Sequence, residues 1–90
     1  MSHALIVDDD VESLAGLAVL VHREGFTTDT AGSLREAREK MAKRRPDVAL
    51  LDLELPDGKG MELFQDIEPA SNTTEVVLIT GHASLETSVE

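Results

Sequence analysis

Leu5-Ile6-Val7-Asp8-Asp9-Asp10 joins a short apolar run to three consecutive acids. A run without polar alternation predicts a strand covered on both faces. The acids then stand at its carboxyl end. The pattern recurs where Val48-Ala49-Leu50-Leu51 meets Asp52, and Val76-Val77-Leu78-Ile79 ends in Thr80. If the three runs are parallel neighbours, their carboxyl ends gather several acids and one hydroxyl in a single crevice. Such a crevice suits a divalent cation and phosphoryl chemistry.

Outward from these runs, the period changes to that of helices. Val11, Leu14, Leu17, Ala18 and Val21 recur at spacings of three and four, one face of a helix. Asp10 is its candidate N-cap and Gly25 its stop. Phe26 to Ala31 reads as a second strand. Ser33 caps a second helix, with Glu36 completing a capping box and Leu34, Ala37 and Met41 forming the apolar stripe. Lys40, Lys43, Arg44 and Arg45 complement the dipole at its end, and Pro46 stops it. They read as a solvated helix end rather than a docking patch. Residues 55–60 form a turn-rich loop. Met61, Leu63, Phe64 and Ile67 mark a short helix ended by Pro69, and a further helix begins at Leu85. Strands alternating with helices over short connections predict a doubly wound parallel α/β sheet with right-handed crossovers. In such sheets ligands bind beyond the carboxyl ends of the strands, where the strand order reverses.

The chain has 90 residues, the size of one small domain, and its hydrophobic fraction of 41% fits a globular fold. Its net charge of −10 opposes direct binding to nucleic-acid phosphates. There are no cysteines, hence no disulfide framework or thiolate metal site. No run approaches the ~20 apolar residues of a membrane span, and no signal peptide is visible. A soluble, cytoplasmic protein is expected.

Carboxylates held close together repel, and a divalent cation with hard oxygen ligands, Mg²⁺ above all, removes that repulsion. One carboxylate can also act as a nucleophile and form an acyl phosphate. Each residue taken singly has a blander role. Asp10 is a helix cap, Asp57 in Pro56-Asp57-Gly58 is turn chemistry, and Thr80 and His82 are loop residues. His3 and His22 carry no spacing signal. Only the joint placement of acids at strand ends points to function.

Leu5 to Asp10, Asp47 to Leu53, Leu55 to Leu63 and Val77 to Ala83, in this order and spacing, resemble the receiver domain of bacterial two-component response regulators. The resemblance covers essentially all of residues 1–90. It implies a flavodoxin-like fold with strand order 2-1-3-4-5. It implies that Asp52 accepts a phosphoryl group from a sensor histidine kinase. Asp8, Asp9, Asp52 and the backbone carbonyl of Glu54 would hold Mg²⁺, and Thr80 would be the switch hydroxyl. Glu54 and His82 fall at positions that tune phosphate lifetime in the family. The segment from Thr80 to Glu90 is similar to receivers of the nitrogen-regulation, sigma-54 activator type, commonly fused to an ATPase and a DNA-binding module. Transcription would then be regulated through that output, with no direct nucleic-acid contact here.

The family pattern also carries a fifth strand, a fifth helix and a lysine after that strand, which by spacing fall beyond Glu90. The expected sheet order within the chain is therefore 2-1-3-4, with the fourth strand an exposed edge that invites self-association. Three functional readings follow. The first is a phosphoacceptor signalling domain, which assists its own phosphorylation without being a turnover enzyme. The second is a receiver-fold interaction module that is not phosphorylated. The third is a Mg²⁺-dependent aspartyl-phosphate phosphatase, a class whose early-strand nucleophile and longer body are missing here.

Overall fold

The computed structural model describes residues 2–63 and 74–79. Four parallel strands form the main sheet: β1 (His3–Val7), β2 (Thr27–Ala31), β3 (Val48–Asp52) and β6 (Glu75–Ile79), in the order β2-β1-β3-β6. This is the expected 2-1-3-4 arrangement, with β6 in fourth place. Between β3 and β6 lies a two-residue antiparallel pair, β4 (Glu54–Leu55) with β5 (Gly58–Lys59). The loop expected at residues 55–60 is thus a miniature hairpin. Two paired residues per strand are too few to leave an alternation in the sequence.

Every residue of β1 is buried. Alternate side chains of a strand point to opposite faces, so burial of all five requires cover on both. Leu5 and Val7 join Leu34 and Ala37 of α2 (Leu34–Lys43) in one apolar cluster. Ala4 and Ile6 face the other way and are also buried, on the side of α1 (Val11–Arg23), which packs on β1 and β2. Ala31, Ala49, Leu51, Leu55 and Leu63 complete the cluster. Leu63 belongs to the helical residues 60–63.

Both caps form as the sequence predicts. Asp10 accepts from the Glu12 N–H, and the chain leaves α1 through Gly25 at φ +99°. Ser33 accepts from the Glu36 N–H at 3.1 Å. The reciprocal bond of the box is displaced by one residue, since Glu36 Oε1 takes the N–H of Gly32 at 2.8 Å. The α1 stripe is half-buried rather than buried, and Val11 is 76% exposed. Val11 is the first residue of the helix.

At the edge position β6 keeps Val77 and Leu78 exposed, on opposite faces. Among the described residues no helix is long and apolar enough to cross a membrane. Thr80 and His82, and the residues for which the sequence predicts the end of a third helix (Phe64, Ile67 and Pro69) and the start of a further one (Leu85), lie outside the described residues.

Candidate functional site

Parallel register brings the three apolar runs together at their carboxyl ends. Val7 pairs with Leu51 across β1 and β3, and Asp52 pairs with Ile79 across β3 and β6. Asp8 and Asp9 follow β1 directly, and Asp52 is the last residue of β3. Their carboxylates each offer an oxygen within 4.8 Å of the others. Sequence reasoning therefore placed these three acids together correctly. Asp10 stands apart in role, as the cap of α1, and accepts from Ser13 Oγ as well as from the helix backbone.

The acids differ in environment. Asp8 is only 4% exposed, Asp52 is half-buried and Asp9 faces solvent. Burial pushes the Asp8 carboxyl above the ordinary aspartate range. The Asp10 N–H, 3.0 Å from Asp8 Oδ1, opposes that rise, while the neighbouring Asp52 carboxyl reinforces it. Low solvation and a like charge both disfavour the ionised form. A divalent cation relieves both causes at once, and three carboxylate oxygens are the hard donors that Mg²⁺ takes. The donor set fits such an ion.

The expected fourth ligand, the backbone carbonyl of Glu54, lies two residues past Asp52. The chain there is closely fixed. The Leu53 N–H donates to Ile79 O at 3.2 Å, the Gly60 N–H donates to Leu53 O at 2.9 Å, and the Glu54 N–H donates to Asp52 Oδ1 at 3.3 Å. At Gly60 a Cβ would collide with the carbonyl oxygen of Asp52, so the close approach of the two backbones requires glycine. The Glu54 side chain points outward and pairs with Lys59 Nζ at 2.8 Å, both groups well exposed. Among the described residues its partner is thus Lys59.

Two features went unread in the sequence. Asp57 does more than shape a turn: its two oxygens accept from the N–H groups of Leu34 and Arg35, at 2.8 and 3.0 Å. These bonds hold its carboxyl below the ordinary range. His3 is buried at the amino end of β1, at the opposite ends of the strands from the acids. Its ring lies 2.7 Å from Thr27 Oγ1 and 3.0 Å from Asp29 Oδ2, and its backbone N–H donates to Asp47 Oδ2 at 2.7 Å. The residue is structural, joining β1 to β2 and to the approach of β3. His22 bonds the Phe26 carbonyl beside the end of α1.

Comparison with known proteins places these features in a family. The response regulator receiver domain matches residues 4–90. The response regulator protein PilR of Pseudomonas aeruginosa is 38% identical over 87 residues, which is 97% of this chain and 20% of PilR. The nitrogen assimilation regulatory protein NtrX of Azorhizobium caulinodans is 34% identical over 92 residues, 99% of this chain and 20% of NtrX. The crystal structure of the response regulator TrrA from Thermotoga maritima, in complex with Mg²⁺ and BeF, superposes with a TM-score of 0.83 at 27% identity. That superposition covers 99% of this chain and 77% of TrrA. The chain spans only a fifth of the length of PilR and NtrX.

Proposed function

Because the chain belongs to the response regulator receiver domain family, we propose that it is a phosphoacceptor switch of two-component signalling. Asp52 takes a phosphoryl group from a phosphohistidine on a sensor kinase. A carboxylate oxygen of Asp52 forms the new O–P bond as the P–N bond to the donor breaks. The electron pair leaves on the donor imidazole, which is then protonated from solvent. The product is an acyl phosphate on Asp52. Transfer of this kind depends on positioning and charge neutralisation more than on covalent assistance.

The observation that carries this reading is the set of three carboxylates within 4.8 Å at the ends of neighbouring strands. Asp8, Asp9, Asp52 and the Glu54 carbonyl would hold Mg²⁺, which when bound offsets the negative charge of acceptor and incoming phosphate. The half-buried Asp52 remains reachable by a donor, whereas Asp8 is sheltered and suited to holding metal. Thr80 is the proposed switch hydroxyl, contacting a phosphoryl oxygen. It directly follows Ile79, whose strand partner is Asp52. The likeness to the regulatory proteins PilR and NtrX supports a regulatory output. By the resemblance to sigma-54 activator receivers, that output is transcriptional, through a fused ATPase and DNA-binding module, and the proposed place of action is the cytoplasm. The domain itself is an acceptor that turns over its own phosphate and is not a general phosphatase.

The test is incubation with Mg²⁺ and acetyl phosphate, followed by assay for an acid-stable, base-labile phosphoryl group. Labelling that disappears in Asp52→Asn supports the proposal. Rapid multiple turnover of unrelated phosphate esters would favour a phosphatase instead. No labelling in the 90-residue chain, nor in a form extended past Glu90, would leave a non-phosphorylated interaction module.

A further inference from the structure

The residues after Asp52 are fastened to α2. The hairpin of β4 and β5 returns the chain from Glu54 to Lys59, and Asp57 sits at its tip. From there the carboxylate spans to two successive N–H groups of α2, 23 and 22 residues away in sequence. Gly58 packs flush on the same helix. A Cβ there would lie 2.5 Å from Leu34 Cδ1 and 2.8 Å from Glu62 Oε2, and its φ of +154° also favours glycine. Lys59 closes the hairpin through its side chain to Glu54 and its N–H to Glu62 Oε2 at 3.2 Å. Gly60 then returns to the acceptor strand, on Leu53 O and against Asp52.

The start of α2 already has a local cap in Ser33, which serves the Glu36 N–H. Asp57 adds two further bonds and, unlike Ser33, joins the helix to a different segment. The joined segment is the one carrying the Glu54 carbonyl. We propose that Asp57 is a positioning residue that ties the hairpin after the acceptor to α2 and thereby holds the Glu54 carbonyl against the Asp8, Asp9 and Asp52 carboxylates. This inference rests on the metal-dependent phosphoacceptor reading. Partners that orient a metal ligand typically change affinity by roughly 10–100-fold when removed.

The test compares the wild-type chain with Asp57→Ala, Asp57→Asn and Ser33→Ala. Two readouts are taken: Mg²⁺ affinity by titration calorimetry, and hydrogen exchange at the Gly60 N–H. Asp57→Ala should weaken Mg²⁺ binding roughly tenfold and speed exchange at Gly60. Asp57→Asn keeps one acceptor oxygen and should fall between Asp57→Ala and wild type on both readouts. It also serves if Asp57→Ala does not fold. Ser33→Ala removes a cap of the same helix without touching the hairpin, so it should lower the melting temperature but leave both readouts at wild-type values. The proposal is overturned if both Asp57 variants bind Mg²⁺ as wild type does, or if Ser33→Ala loses as much affinity as Asp57→Ala. A wild-type chain that takes no Mg²⁺ overturns the metal reading itself. Gly60 exchange then decides whether Asp57 ties the loop, and unchanged exchange in both variants refutes it.

Discussion

Replacing Asp8 with Asn should make the metal-free domain more stable and far less responsive to Mg²⁺. Asp8 is almost wholly buried, with the Asp9 and Asp52 carboxylates within 4.8 Å. Two unit charges at that separation repel by about 3 kcal/mol at an effective dielectric constant of ~20. Solvent at the exposed Asp9 reduces its share, and the Asp10 N–H on Asp8 Oδ1 offsets part of the rest. An asparagine oxygen can keep that hydrogen bond while removing the charge. The net gain should be on the order of 1 kcal/mol, or roughly 4–8 °C in melting temperature for a domain of this size.

The sign with pH is fixed by the direction of the Asp8 shift. Its folded carboxyl titrates above the unfolded value of 3.8, so the folded state holds the proton more tightly. The associated stability is full below the unfolded value and is lost as pH rises through the folded one. Metal-free wild type should therefore melt higher on mild acidification, and Asp8→Asn should lack this component. Mg²⁺ at 100 times its dissociation constant should stabilise wild type by about 2.7 kcal/mol, and Asp8→Asn should lose most of that increment. Thermal melts followed by far-ultraviolet circular dichroism, with ionic strength matched by NaCl, measure all three effects. A lower melting temperature for metal-free Asp8→Asn, or an undiminished Mg²⁺ increment, would refute this account of the acid cluster.

Gly60→Ala should destabilise the fold by about 1–3 kcal/mol, because a Cβ forces the backbone away from Asp52. Urea unfolding measures the loss, and labelling by acetyl phosphate should slow with it. Leu51→Ala, at a fully buried position on β3, should cost about 2–5 kcal/mol, a large part of the ~5–15 kcal/mol that holds a small domain folded. Its far-ultraviolet melt should shift accordingly. The Asp57 carboxyl is held below its unfolded value of 3.8, so its contribution is complete above that value and fades as pH falls through the folded one. Asp57→Asn should therefore flatten the acid limb of the stability profile below pH 3.8, and an unchanged limb would count against the two α2 bonds.

What could be read from the sequence was set by distance along the chain. The caps at Asp10 and Ser33 are local, because a side chain reaching two or three residues ahead meets its partner whatever the rest of the molecule does. The apolar runs of β1 and β3 are equally local, and the alternation of strands and helices leaves few ways to arrange them. Once these strands are parallel neighbours, Asp8, Asp9 and Asp52 must share an edge, which is why the acid cluster was legible. The bonds of Asp57 to α2 and of His3 to Thr27, Asp29 and Asp47 depend instead on the register between elements. A one-residue slip between β1 and β2 would turn Thr27 and Asp29 to the other face, and no local pattern reports it.

The two classes of contact divide the labour of the site. Strand ends bring the acids close, and their mutual repulsion works against folding in the absence of a cation. Register-dependent contacts hold the chain beyond Asp52 against α2 with no apolar run to fix it. Local patterning thus supplies the charged groups of the crevice, while the hairpin that follows Asp52 is tied to α2 by Asp57, a carboxylate whose sequence neighbourhood announces only a turn. Substitutions at Asp57 should therefore alter metal affinity more than stability, and substitutions at Leu51 should do the reverse.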